Sequence, residues 1–349
     1  MHTTKSASYP LGMFDLIKGI GMMFVVVFHT LSFADVSHWI VDAVWALGYM
    51  MACFFSVSGF QFRPGPMKQI TKRCAKTYLP MYFRLAAAVL LFMLLRRRVS
   101  LLSYLVGFSL GKFYPRMFDG FYLGGIGLGW FVLSLLWGSI LLNLVLKIKN
   151  GWLRTLCVLA LSALRYVLDT EYTDYFCLYR AFEALPAMYV GYCVYAWNLL
   201  GASESGWKRY LPYALAVLMI PAIYVESDAW WMNIIWSLGD IVWGYAAICF
   251  SRDTVRKSGF LLELIRKIGR YTPWIITVHG MEMICFEWDK ITAKFSFIPN
   301  ENLKFFVMVA VRVAVIYVGC VILAQIDKLE KQWKRKRRSR KRAQKRATA

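Results

Sequence analysis

Apolar blocks of about 15–22 residues recur along this chain, each close to the ~20 residues that a helix needs to cross a bilayer core. In hydrocarbon every backbone N–H and C=O must be paired within its own segment, so blocks of this length are expected to be helices. Alternating ten-residue strands are missing and ten prolines are scattered through the chain, which argues against an outer-membrane barrel. With 59% hydrophobic and only 18% charged residues over 349 positions, the chain cannot clothe a soluble domain of this size in polar groups. The expectation is an all-α, polytopic membrane helix bundle of about ten transmembrane helices. It occupies residues 1–326, and a basic cytoplasmic tail without fixed structure follows over 327–349.

The spans are expected near 13–33, 41–62, 80–95, 123–146, 152–168, 178–197, 210–225, 230–250, 271–286 and 304–326. Alternate connections are basic: Arg63, Lys68, Lys72, Arg73 and Lys76, then Lys147 and Lys149, Lys208 and Arg209, Arg252, Arg256 and Lys257, and the tail. The others are acidic or mixed: Asp35 and Asp42, then Asp169, Glu171 and Asp174, Glu226 and Asp228, and Glu287, Asp289 and Glu301. The positive-inside rule therefore predicts both termini in the cytoplasm of a multi-pass protein of the cell membrane. Arg96, Arg97 and Arg98 run against the alternation, which suggests a re-entrant third span, a partly embedded segment over 99–122, or arginines that serve the site.

Of the net charge of +22, half lies from Lys328 onward, where twelve Lys and Arg face one Glu. Beside a last hydrophobic segment such a run is a topology signal and a contact for anionic lipid, so nucleic acid is not the expected partner. The eight cysteines are dispersed through apolar blocks without Cys-x-x-Cys or zinc spacing, and neither a metal nor a disulfide framework is indicated. Lys5, the run Ile20–Phe28 and Ser32-Phe33-Ala34 echo a secretory leader. Asp15 and Lys18 interrupt that order and nine more spans follow, so the run reads as the first span.

Ionisable groups inside membrane spans are costly and mark candidate sites. The first span holds Asp15, Lys18 and His29. Lys18 and His29 are eleven residues apart, which at ~100° and ~1.5 Å per residue puts them on one helix face about 16 Å apart. Asp15 sits one turn before Lys18 and can pair with it. His29 has the chemistry of a general base. Weaker candidates are Arg180 with Glu183, Asp240, His279 with Glu282, and Arg312, all of which a structural ion-pair network would also explain. Ser56, Ser58 and Gly59 end the second span either as a packing surface or as a polar lining. The basic stretch Lys72–Pro80 either sets topology or holds an anionic cofactor.

Phe14-Asp15-Leu16-Ile17-Lys18-Gly19-Ile20-Gly21 and the apolar run to His29 resemble the Arg/Lys-x10-His span that opens the acyltransferase-3 family of membrane O-acyltransferases. Phe54-Phe55 through Ser58-Gly59-Phe60, and Lys72-Arg73-x-x-Lys76-x-x-x-Pro80, resemble its second-span motif and the basic segment that follows. Trp130-Phe131-Val132-Leu133, Leu185-Pro186 through Gly191, and Ile268-Gly269 leading to His279 are fainter echoes. The likeness is strongest to the fucose O-acetylase-like branch. The chain departs from the pattern in having Lys18 where many members have Arg, and Arg270-Tyr271-Thr272 after Gly269.

The resemblance implies transfer of an acetyl group from cytoplasmic acetyl-CoA to a hydroxyl of a glycan or lipid-linked sugar. It implies His29, Lys18 and Asp15 as the catalytic group, and Lys18, Arg73, Lys76 and Ser58 around the donor. Arg180, Glu183 and His279 are then the candidates for the acceptor. A transporter of a small polar solute is the alternative that intramembrane charges also fit, although the two halves of the chain show no repeat. A purely structural subunit would leave the aligned Lys18 and His29 without a purpose.

Overall fold

A computed structural model describes residues 9–95, 101–112, 115–118, 121–168, 175–202, 206–225 and 230–347. Arg96, Arg97 and Arg98, and the acidic loop residues Asp169, Glu171, Asp174, Glu226 and Asp228, lie outside the described residues.

The described chain is helical apart from one short hairpin. Its first half contains α1 (Asp15–Thr30), α2 (His38–Trp45), α3 (Met50–Gln61), α4 (Met67–Leu95), α5 (Leu101–Leu110), α6 (Gly129–Val145) and α7 (Gly151–Leu168). Strands β1 (Arg116–Phe118) and β2 (Phe121–Leu123) pair antiparallel between α5 and α6, with Arg116 opposite Leu123. The second half contains α8 (Leu178–Ala196), α9 (Leu199–Ala202), α10 (Leu211–Leu218), α11 (Trp230–Thr254), α12 (Phe260–Arg270), α13 (Thr272–Cys285), α14 (Trp288–Ala293) and α15 (Glu301–Ala347). By length and composition, four helical stretches among the described residues are long and apolar enough to cross a membrane: His38–Gln61, Met67–Leu95, Ile234–Thr254 and Glu301–Arg337. The other expected spans form helices that are shorter, interrupted or more polar.

Several boundaries differ from the sequence expectation, each for a local reason. The second block is split by the turn around Gly48 into α2 and α3. The third does not begin at Pro80; its helix starts at Met67 and runs through the proline. Pro80 forfeits one hydrogen bond to the preceding turn, but the Lys, Arg, Gln and Ala on either side are good helix formers. The seventh block ends as a 3-10 turn, Ile220–Tyr224, at Pro221. A separate helix, α12, fills what the sequence marks as a plain basic connection. The tail over 327–347, expected to lack fixed structure, continues α15, which is 47 residues long. Its Lys, Arg, Gln and Ala are all strong helix formers, and the Lys331–Asp327 pair at 2.6 Å spans one of its turns.

The bundle is closed by small residues that let backbones touch. A Cβ at Gly59 would lie 1.9 Å from the Met188 carbonyl oxygen, and one at Gly191 would lie 2.0 Å from that of Ser56. Ser56 adds a hydrogen bond across the same seam, its Oγ–H donating to the Ala187 carbonyl at 3.0 Å. Such approaches suit helices in lipid, where close packing replaces the hydrophobic drive between them. At one end of the bundle Tyr9 and Phe14 meet Phe60, Tyr9 meets Tyr195, and the Arg63 guanidinium lies over the Tyr195 ring at 3.4 Å. This basic end gathers the start of α1 and the ends of α3, α8 and α11. At the opposite end the Ser37 N–H donates to Asn302 Oδ1 at 2.9 Å, joining the start of α2 to that of α15.

Candidate active site

Helix α1 carries Asp15, Lys18 and His29 in one unbroken run. The expected pair forms at the basic end, with Lys18 Nζ 2.9 Å from Asp15 Oδ1. Lys18 is about a quarter exposed and His29 is partly exposed.

Helix α13 meets the far end of α1. The rings of His29 and His279 lie 5.5 Å apart between centroids and are tilted by 55°. His279 is fully buried, and its Nδ1 is 2.6 Å from Glu282 Oε1, one turn further along the helix. The Arg312 Nη2–H donates to the same oxygen at 2.6 Å from α15. A second Arg312 donor, Nη1–H, reaches Thr30 Oγ1 at 3.1 Å, and the Thr30 hydroxyl donates to the Val26 carbonyl at 2.7 Å. Arg312 therefore ties α15 to α13 and also to the residue beside His29.

None of these charged groups reaches solvent; Glu282 and Arg312 are both 0% exposed. Two buried charges survive such burial when they are paired and hydrogen-bonded, which Glu282 and Arg312 are. The Arg312 guanidinium is further flanked by the Trp288 ring at 5.2 Å and the Phe33 ring at 5.3 Å. Aromatic faces suit a guanidinium held away from water. Among the described residues, Glu282 Oε2, Arg312 Nε, Trp288 Nε1 and Thr292 Oγ1 are buried without a hydrogen-bond partner.

The other candidates are distributed around this centre. Ser58 donates to the Phe54 carbonyl of its own helix at 3.0 Å. Arg73 Nη2–H donates to the Arg63 carbonyl at 2.7 Å, and Lys76 is exposed, so both stand at the basic end on α4. Gly65 leads into that segment and is pinned by buried Asn143, which accepts from its N–H and donates to its carbonyl, both at 3.1 Å. Arg180 pairs with Glu183 at 2.7 Å and lies over the Trp130 ring at 5.5 Å. A cavity of about 670 Å³ also opens at the basic end, lined by Tyr9, Asn198, Arg209, Arg252, Asp253 and Arg256 among others. It contains neither Lys18 nor His29, and the Asp253 carboxylate already holds Arg209 and Arg252.

Spacing in the sequence pairs His279 with Glu282 but does not join them to His29 or to Arg312. The available signal was charge balance: an acid and a base inside one block, and an arginine inside another with no acid of its own. Nothing in the spacing ties Thr30, Trp288 or Phe33 to that arginine.

A family model for an acyltransferase domain matches residues 12–325, nearly the whole chain. The chain belongs to the acyltransferase-3 family. No curated protein and no solved structure matches it. As an acyltransferase-3 member with apolar helices of spanning length, the protein is a membrane acyltransferase.

Proposed function

We propose that the protein is an integral O-acyltransferase of the cell membrane, in the fucose O-acetylase-like branch of its family. It moves an acetyl group from cytoplasmic acetyl-CoA to a hydroxyl of a glycan or lipid-linked sugar. The observation that carries this reading is the juxtaposition of His29 with His279, whose other side is anchored by Glu282 and Arg312.

Acyl transfer to an alcohol makes a C–O bond and breaks the C–S bond of the thioester. The hydroxyl proton must go to a base and the thiolate must be stabilised or protonated. His29 is the partly exposed imidazole of the pair and serves as general base for the acceptor hydroxyl. His279 is a positioning residue: with Glu282 accepting at Nδ1, one tautomer and one ring orientation are held against His29. Arg312 keeps the carboxylate in place and fixes Thr30 next to His29.

The basic end fits an anionic donor. Lys18 with Asp15, and Arg73 and Lys76 on α4, present cations there, and Ser58 adds a partly exposed hydroxyl. A pantetheine arm long enough to cover the ~16 Å from Lys18 to His29 would deliver the thioester to the base. Arg180, Glu183 and Trp130 combine an ion pair with an aromatic face, a pairing suited to a sugar acceptor. Incubating detergent-purified protein with radiolabelled acetyl-CoA and candidate glycans tests the reading. Labelled glycan supports it, whereas solute movement in vesicles without acyl transfer or thioester hydrolysis would favour a transporter.

A further inference from the structure

Helix α12 has eleven residues, so at ~1.5 Å per residue it is ~16 Å long and cannot cross a bilayer core of ~30 Å. It stands directly between α11, which is long enough to span, and α13. Its faces are sharply divided. Phe260, Leu261 and Leu264 fall within ~100° of one another around the helix and are 88%, 63% and 46% exposed. Glu263, Arg266, Lys267 and Arg270 fall within an arc of similar width directly beside it.

Arg266 is committed to the fold. Its Nη2–H donors reach the Thr254 and Lys257 carbonyls, both at 2.7 Å, and it pairs with Glu263. Lys267 and Arg270, with Arg256 and Lys257 in the preceding turn, are exposed, and among the described residues none of the four enters an ion pair. The third side of α12 is seated on α1 by backbone contact. A Cβ at Gly19 would lie 2.0 Å from the Ile265 carbonyl oxygen, and one at Gly269 would lie 1.8 Å from that of Asp15.

A bare apolar flank beside uncompensated cations, held at the end of a membrane bundle, is the pattern of a helix lying in a lipid interface. We propose that α12 lies in the plane of the leaflet at the basic end. Phe260, Leu261 and Leu264 enter the acyl-chain boundary, and Arg256, Lys257, Lys267 and Arg270 bind phosphates of anionic phospholipids. Because α12 rests on Asp15 and Gly19, lipid held there is coupled mechanically to the Asp15–Lys18 end of α1. The interface itself is independent of the reaction the protein catalyses.

Two measurements on the full chain test this. First, a nitroxide is attached through Leu261→Cys, in a background with the partly exposed Cys157 and Cys320 changed to Ser, and the protein is placed in nanodiscs containing phosphatidylglycerol. The label should be more accessible to oxygen than to a water-soluble nickel chelate; the opposite preference would overturn the proposal. Second, retention of phosphatidylglycerol over phosphatidylcholine is compared by native mass spectrometry for the wild type and Lys267→Glu/Arg270→Glu, with melting as the fold control. Each cation near an anionic surface is worth about fivefold in affinity, so removing two should lower the preference at least ~25-fold. The tail is common to both proteins, so an unchanged preference would refute the assignment. Displacement of the lipid by free glycerol phosphate would also count against it, because it would mean a soluble-phosphate site.

Discussion

Glu282→Gln tests how the buried cluster is held. The change keeps the size of the side chain but removes the carboxylate that pairs with Arg312, whose guanidinium is 0% exposed. Breaking a buried ion pair from one side costs about 3–5 kcal/mol because the other charge is left buried and uncompensated. For a chain of this size that corresponds to a melting shift on the order of 5–10 °C. Removing both charges in Glu282→Gln/Arg312→Met should recover most of the loss, since an apolar replacement for a whole buried pair is close to neutral. The coupling between the two sites should then be about 2–4 kcal/mol. The assay is thermal unfolding of detergent-purified protein, read by fluorescence-detected size exclusion, for the wild type, both single variants and the double variant. Acyl transfer should be lost in Glu282→Gln and should stay lost in the double variant, because His279 has no carboxylate in either. If the single and double variants melt together, or if Glu282→Gln melts with the wild type, the pair is not holding α13 to α15.

Gly191→Ala would drive a methyl into the Ser56 carbonyl at 2.0 Å and should cost at least about 1–3 kcal/mol by overpacking, whereas Gly151→Ala, with nothing within 4 Å, should be neutral in the same melt. Asn143→Ala removes both bonds to Gly65 and should cost about 1–3 kcal/mol; limited proteolysis should then cut faster near residues 62–66. Lys18→Ala should weaken donor binding in a direct titration with acetyl-CoA, while Lys18→Arg, which keeps the charge and the Asp15 partner, should retain it.

The membrane class was legible because block length and backbone satisfaction leave little choice. The α1 stripe was legible because eleven residues at helical spacing return to the same face, and α1 is indeed continuous through both ends of it. Helix ends were less legible. Pro80 marks a break on propensity grounds, yet its neighbours carry α4 through it. The tail looks unstructured by charge alone, but its Lys, Arg, Gln and Ala favour the helix that α15 continues. The Phe54–Phe60 segment admitted two readings. For Ser56 and Gly59 the packing reading holds, since both lie in the α3–α8 seam. The Arg312–Glu282 pair joins residues 30 positions apart on different helices, and only tertiary packing brings them together.

The most direct test of the central claim is His29→Ala in purified protein, with donor binding and acyl transfer measured on the same preparation. A general base predicts that transfer to the acceptor disappears while acetyl-CoA binds as in the wild type. Transfer that persists, or donor binding that is lost from a correctly folded variant, would contradict the role assigned to His29.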